Sequence, residues 1–199
     1  RKSVEKRIET LNNFVFSLEE NLPRQLRTTG FRVIFLFEKR IVETGAYITN
    51  LNATFNETFT NGTIYGQADD EVQVLMEDAT LPEIIEDIKQ KAQKINADVD
   101  FINPVISVSQ SDPWRVKITL STNLIIKDQG GLVQWNRTGD INAFIDIENF
   151  EDPLYLINTN GLVTNKIKKS PYAVFVSGSD ISNLSLHSEN SYYAASVTA

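Results

Sequence analysis

Carboxylates are the residues through which this chain could do acid–base chemistry. Asp and Glu number 26, against 19 Lys and Arg, one His and no Cys among 199 residues. Thiol nucleophiles, disulfide frameworks and zinc ribbons are excluded, and any metal or catalytic site must be nearly all oxygen. Close carboxylates occur at Asp69-Asp70, at Asp98 and Asp100, and at Glu148 and Glu151-Asp152. Glycoside hydrolysis needs two such groups aimed into a sugar-sized cleft, roughly 5 to 10 Å apart. Each pair here lies in a polar turn, where solvated Asp and Glu are commonplace, so no catalytic residue is assigned. Neither Asp98-Val-Asp100 nor Asp146-Ile-Glu148 has the fixed ligand steps around a glycine that a calcium loop requires. No metal or cofactor is expected.

The remaining chemical motifs are weak. His187 lies in a Ser/Asn/Leu stretch and reads as a surface residue. Gly130-Gly131 is a hairpin turn without the Lys of a phosphate loop, and Ser177-Gly-Ser179 lacks the Gly-x-Ser-x-Gly of a nucleophile elbow. Trp114 and Trp135 begin strands with inward apolar alternation, which favours packing over sugar stacking. The net charge of −7 argues against a nucleic-acid partner, because phosphate affinity comes from clustered Lys and Arg.

The chemistry that the sequence does suggest is modification. Sequons for N-glycosylation stand at Asn52, Asn56, Asn61, Asn136 and Asn183. With 18 Asn, 14 Ser and 16 Thr in the chain, random placement gives about three sequons. The excess is modest, but three of the five fall within residues 52–63. That clustering points to an exposed segment of an extracellular, glycosylated chain.

The elements that would position these residues form an α+β pattern. Val4, Ile8, Leu11, Val15, Leu18 and Leu22 follow a heptad rhythm with charged residues between them. This predicts a long amphipathic helix, kinked or broken near Pro23. Its apolar stripe is either ordinary core packing or a self-association interface with neighbouring subunits. A helical pattern continues towards Gly45 through the apolar run at 31–37, with Gly30 a weak point. Residues 1–46 then form a helical stalk or core helix, and 47–199 carry the remaining fold. The Thr/Asn/Gly-rich stretch at 47–76 reads as a glycan-bearing loop or hairpin. Thr80, Pro82 and Glu83 open a second helix near 80–96 with a capping box, burying Ile84, Ile85, Ile88, Ala92 and Ile95. Strands are expected at 101–109, with Pro104 at an edge or bulge, at 114–126, and at 132–147 with a break at Gly139. These three make an antiparallel meander with one wet face. Two more short strands are expected at 154–158 and 173–177.

Phe150-Glu-Asp-Pro-Leu-Tyr155, followed by Ile157-Asn-Thr-Asn-Gly161 and later by Asn190-Ser-Tyr-Tyr193, resembles a motif of archaeal membrane-anchored, pilin-like surface proteins. The resemblance covers about a quarter of the chain. It implies a structural or adhesive cell-surface role, and a membrane anchor in a segment preceding Arg1. It supplies no catalytic residues. The competing expectation is an extracytoplasmic ligand-binding sensor domain. A pocket lined by converging polar groups beneath residues 52–63 favours the sensor, whereas a continuous apolar stripe on Val4 to Leu22 buried between copies favours the filament.

Overall fold

A computed structural model describes residues 2–112 and 114–168. Asn183, His187, Ser177-Gly-Ser179, Asn190-Ser-Tyr-Tyr193 and the strand expected at 173–177 lie outside the described residues. The element order is α1 (Lys2–Thr44), α2 (Leu51–Asn61), α3 (Asp70–Met76), α4 (Leu81–Gln93), β1 (Ala97–Asp112), β2 (Arg115–Asp128), β3 (Gln134–Asp146) and α5 (Pro153–Asn158). The α+β class and the antiparallel meander are as expected.

Helix α1 runs through Pro23 without ending, for 43 residues or about 65 Å. The expected break is therefore absent. An interior proline costs about 3 kcal/mol through its missing donor and its ring. Leu22, Leu26 and Val33 on either side are at most 1% exposed, and burying such a side chain returns about 1.5–3 kcal/mol each. Packing wins. Gly30 is a point of contact: a Cβ built there would lie 1.8 Å from Ile118 Cδ1 and 2.9 Å from Ile145 Cδ1. The missing side chain lets the helix lie directly on the sheet.

The sheet has the order β1-β2-β3. Along β2, Ile118, Leu120, Leu124 and Ile126 are buried, alternating with more exposed neighbours. Ile141, Ala143 and Ile145 of β3 extend the same face. Across the wet face, Thr119 pairs with Asn142, Ser121 with Asp140 and Asn123 with Thr138, side chain to side chain at 2.6–3.1 Å. Strand β3 passes through Gly139, which stays in register with Thr122, so no break occurs.

Strand β1 is an edge, and its pairing slips between Ile102 and Val105, where Asn103 has φ 49° and Pro104 follows. The slip inserts one residue opposite Thr122, whose hydroxyl donates to the Ile102 carbonyl at 3.2 Å. Its consequence is a change of parity. Ala97 and Val99 face the core before the bulge and Ile106 after it, so the apolar face is kept.

Residues 47–76 differ most from expectation. They hold α2 and α3, and the expected hairpin shrinks to the link between them, where Ile64 and Gln67 exchange N–H to carbonyl bonds at 2.8 and 3.1 Å. Thr54, Phe55, Thr58 and Phe59 of α2 are all buried, a spacing of one helical face that the alternation of Thr and Phe disguised. Phe55 packs edge-on against Phe37, with ring centroids 6.1 Å apart, and lies tilted by 33° against Phe59 at 5.9 Å. The segment at 154–158 is likewise helical rather than a strand. Asp152 caps α5 by accepting from the Leu154 N–H at 3.0 Å, and Pro153 occupies the first turn. Helix α4 forms with its expected box, Glu83 accepting from the Thr80 N–H at 2.9 Å and from its hydroxyl at 2.6 Å.

Helices α1, α2 and α4 therefore cover one face of the sheet, α1 over β3 and β2, the other two over β1. An anchor at the start of α1 holds this layer in place. The Arg7 guanidinium pairs with buried Asp128 at the end of β2 and donates to the carbonyls of Ile95 and Asn96 beyond α4. The Arg7 hydrogen bond holds the Asp128 carboxyl below its ordinary pKa.

Candidate functional site

Most of the chemistry proposed from sequence is used for folding. Asp69 caps α3, accepting from the Val72 N–H at 2.8 Å. Asp98 accepts from the Gln129 amide at 3.0 Å, and Asp152 caps α5. Asp100 and Glu148 are exposed. Among the described residues no three Asp, Glu, His or Cys side chains converge as a metal site would need. Trp135 packs against the core at the end of the sheet.

Glu151 parts from its sequence neighbours and reaches a partly open cavity of about 180 Å³ lined by α1, α2, the sheet and α5. Helix α1 contributes Ile34, Phe37 and Ile41, which lie on one helical face, with Glu38 beside them. Helix α2 contributes Leu51 and Phe55, so the cavity lies under the start of α2 and meets the 52–63 segment at Phe55. Val108 and Val116 come from the sheet, while Ile147, Phe150, Pro153 and Leu156 close the far side.

That far wall is built by the Phe150-to-Gly161 motif. The chain around it returns on itself: Asn149 and Ile167 pair N–H to carbonyl at 2.8 Å, Ile167 donates to the Phe150 carbonyl at 2.8 Å, and Asp152 donates to that of Asn165 at 2.7 Å. Gly161, at φ 77°, ends the turn after α5 by donating to the Leu156 carbonyl at 2.8 Å. Phe150 is pinned by Phe31, edge to face at 5.4 Å. The motif thus has a local task, to hold Phe150, Glu151, Pro153, Leu156 and Ile167 around one space.

Glu38 and Glu151 are the lining residues that are not apolar. Their arrangement is specific. The Glu151 N–H donates to Glu38 Oε1 at 2.6 Å. The Glu151 Oε2 is buried and has no hydrogen-bond partner among the described residues. Burial pushes the Glu38 carboxyl above its ordinary pKa, and the neighbouring Glu151 charge adds to this; the Glu151 N–H and the Lys166 charge pull the other way. Glu38 carries no motif. The signal that could have found it is a carboxylate four residues after Ile34 and three before Ile41, on the buried side of the helix.

A second depression of about 440 Å³ runs between α1 and α4. Several of its polar groups are engaged with backbone. Thr29 donates to the Ala79 carbonyl at 2.8 Å, and Arg32 to that of Leu75 at 3.0 Å.

The proposed assembly stripe is divided. Leu11, Val15, Leu18 and Leu22 are buried in the chain's own core, correcting their assignment as a free interface, while Val4 and Ile8 remain 39% and 37% exposed. The sequons are divided as well. Asn52, Asn61 and Asn136 are exposed, but Asn56 is half-buried and accepts from the Thr60 hydroxyl at 3.0 Å. Thr54 and Thr58, which complete the first two sequons, are buried, and both donate to backbone carbonyls at 2.9 Å. No helix among the described residues is long and apolar enough to cross a membrane. No family model, curated protein or solved structure matches the chain.

Proposed function

We propose that this chain is a ligand-binding domain of the extracytoplasmic sensor type, with the cavity beneath α2 as its site. The cavity carries the reading. It lies under the start of α2, its interior is apolar rather than lined by many polar groups, and two carboxyls are its polar features. Sites for small molecules combine an apolar lining with a few placed polar groups in this way. Exposed Asn61, at the end of α2, and Asn136, on edge strand β3, suit a glycosylated, outward-facing chain.

The structural or adhesive surface role, with pilin-like assembly, is the second reading. A 43-residue helix laid on an antiparallel meander favours it. Its helix-borne interface then shrinks to Val4 and Ile8, because the rest of the stripe serves the core.

Titration of the full chain with ethylbenzene, followed by methyl NMR, tests the ligand-binding reading. Saturable shifts confined to Ile34, Ile41, Val108, Ile147 and Leu156 are expected. Shifts spread evenly over surface methyls, or no shifts with either ethylbenzene or its amine analogue 2-phenylethylamine, contradict it.

A further inference from the structure

We propose that the cavity takes a small organic amine, with an apolar body of one ring or its equivalent and a primary ammonium group held between Glu38 and Glu151. This inference rests on the ligand-binding reading above and names the ligand's chemistry.

Size sets the body. An engineered cavity of about 150 Å³ in another protein holds one benzene, and the space here is about 180 Å³. One ring with a two-carbon arm fills it.

Charge sets the head. The Glu151 Oε2 is buried without a donor among the described residues. A buried acceptor left unpaired is a standing penalty that a ligand donor relieves. Glu38 is already tied to Glu151 through the 2.6 Å bond from the Glu151 N–H, so both carboxyls reach the same end of the cavity. Lys166 is the cation acting on Glu38; it faces Glu151 across a two-residue antiparallel bridge and is exposed. Two carboxyls against this one exposed cation leave net negative charge at that end of the cavity. A fatty or aromatic carboxylate would add a third negative charge there. A neutral hydrocarbon would leave Oε2 as it is. An ammonium group supplies three donors and the opposite charge. Burial raises the Glu38 pKa, with the Glu151 charge adding to it, and an ammonium group seated between the two carboxyls would oppose both effects.

Calorimetric titration of the full chain at neutral pH with 2-phenylethylamine, ethylbenzene and 3-phenylpropionate tests the proposal. The amine is expected to bind about tenfold or more tightly than ethylbenzene, and the carboxylate more weakly than either. Glu151→Gln should cost the amine about tenfold and leave ethylbenzene unchanged. Circular dichroism checks that the variant folds, and Glu38→Gln asks the same question if it does not. Equal affinity for amine and ethylbenzene, or an amine affinity indifferent to both variants, overturns the ligand class while the binding site stands. Failure of all three compounds to bind the unaltered chain overturns the class and the ligand-binding reading together.

Discussion

At the scale of single residues, Glu38 and Gly30 do work that their types alone do not announce. A carboxyl whose folded pKa is raised favours the protonated fold. Its contribution to stability is complete below the unfolded value, near 4.5, and is lost as pH rises through the folded value. Glu38→Gln removes that loss and keeps an oxygen to accept from the Glu151 N–H. The variant should therefore melt above the unaltered protein at pH 7, with the difference vanishing near pH 4. Melting curves at the two values check this, and a variant less stable at both contradicts it. Gly30 makes the opposite kind of prediction. In an exposed helix, Gly→Ala gains about 1 kcal/mol. Here the new methyl must displace the buried Ile118 side chain, and overpacking of a core costs about 1–3 kcal/mol. Urea unfolding of Gly30→Ala should give a net loss of about 1 kcal/mol, whereas a gain would mean that the helix stands off the sheet.

Elements with explicit local signals were legible in the sequence. Helix α4 announces itself by Thr80, Pro82 and Glu83, and β2 by the alternation of Val116, Ile118, Leu120, Leu124 and Ile126 with polar neighbours, which Thr122 and Ile125 interrupt. Pro104 marked the bulge for a physical reason, its lack of an N–H for the ladder. Helix α2 was not legible. Its N-cap, Asn50, sits at φ 49° and makes no side-chain cap bond, and Phe55 and Phe59 stand among Thr and Asn, which are poor helix formers. Tertiary burial of those two rings against Phe37 decides the segment. Helix α5 was lost in the same way, its apolar run being too short to separate strand from helix. The candidate site depends on both, so the cavity was not legible in the sequence. The helical state of α2 also ranks the sequons. Asn61, beside Gly62 at the helix end, and Asn136 should carry glycan, while half-buried Asn56 should not. Mass spectrometry of glycopeptides from native protein checks this, and full occupancy of Asn56 would contradict the packing of α2.

At the scale of the whole molecule, the central fact is that α1 is the spine of the fold. It is tied to the sheet at one end by Arg7 and Asp128 and walls the cavity at the other with Ile34, Glu38 and Ile41. A heptad pattern over three heptads cannot distinguish packing on a sheet from packing on another helix, because both bury one stripe. Substitutions separate the two. Leu11→Asp places a charge at a site 1% exposed and should unfold the chain or cost about 4 kcal/mol or more. Ile8→Asp should leave unfolding within about 1 kcal/mol of the original, and any change in sedimentation it causes reports the remaining interface. Equal tolerance of both would place the stripe outside the core.

The cavity claim has its most direct test in linkage. A ligand that binds only the folded state raises its stability with the logarithm of free concentration, by about 2.7 kcal/mol at a hundred times Kd. Urea unfolding should be followed with increasing 2-phenylethylamine in the unaltered protein and in Leu51→Trp, which enlarges a half-exposed lining residue to occupy the space. The unaltered protein is predicted to gain stability logarithmically and the variant to gain none; identical responses in the two proteins would contradict a ligand site beneath α2.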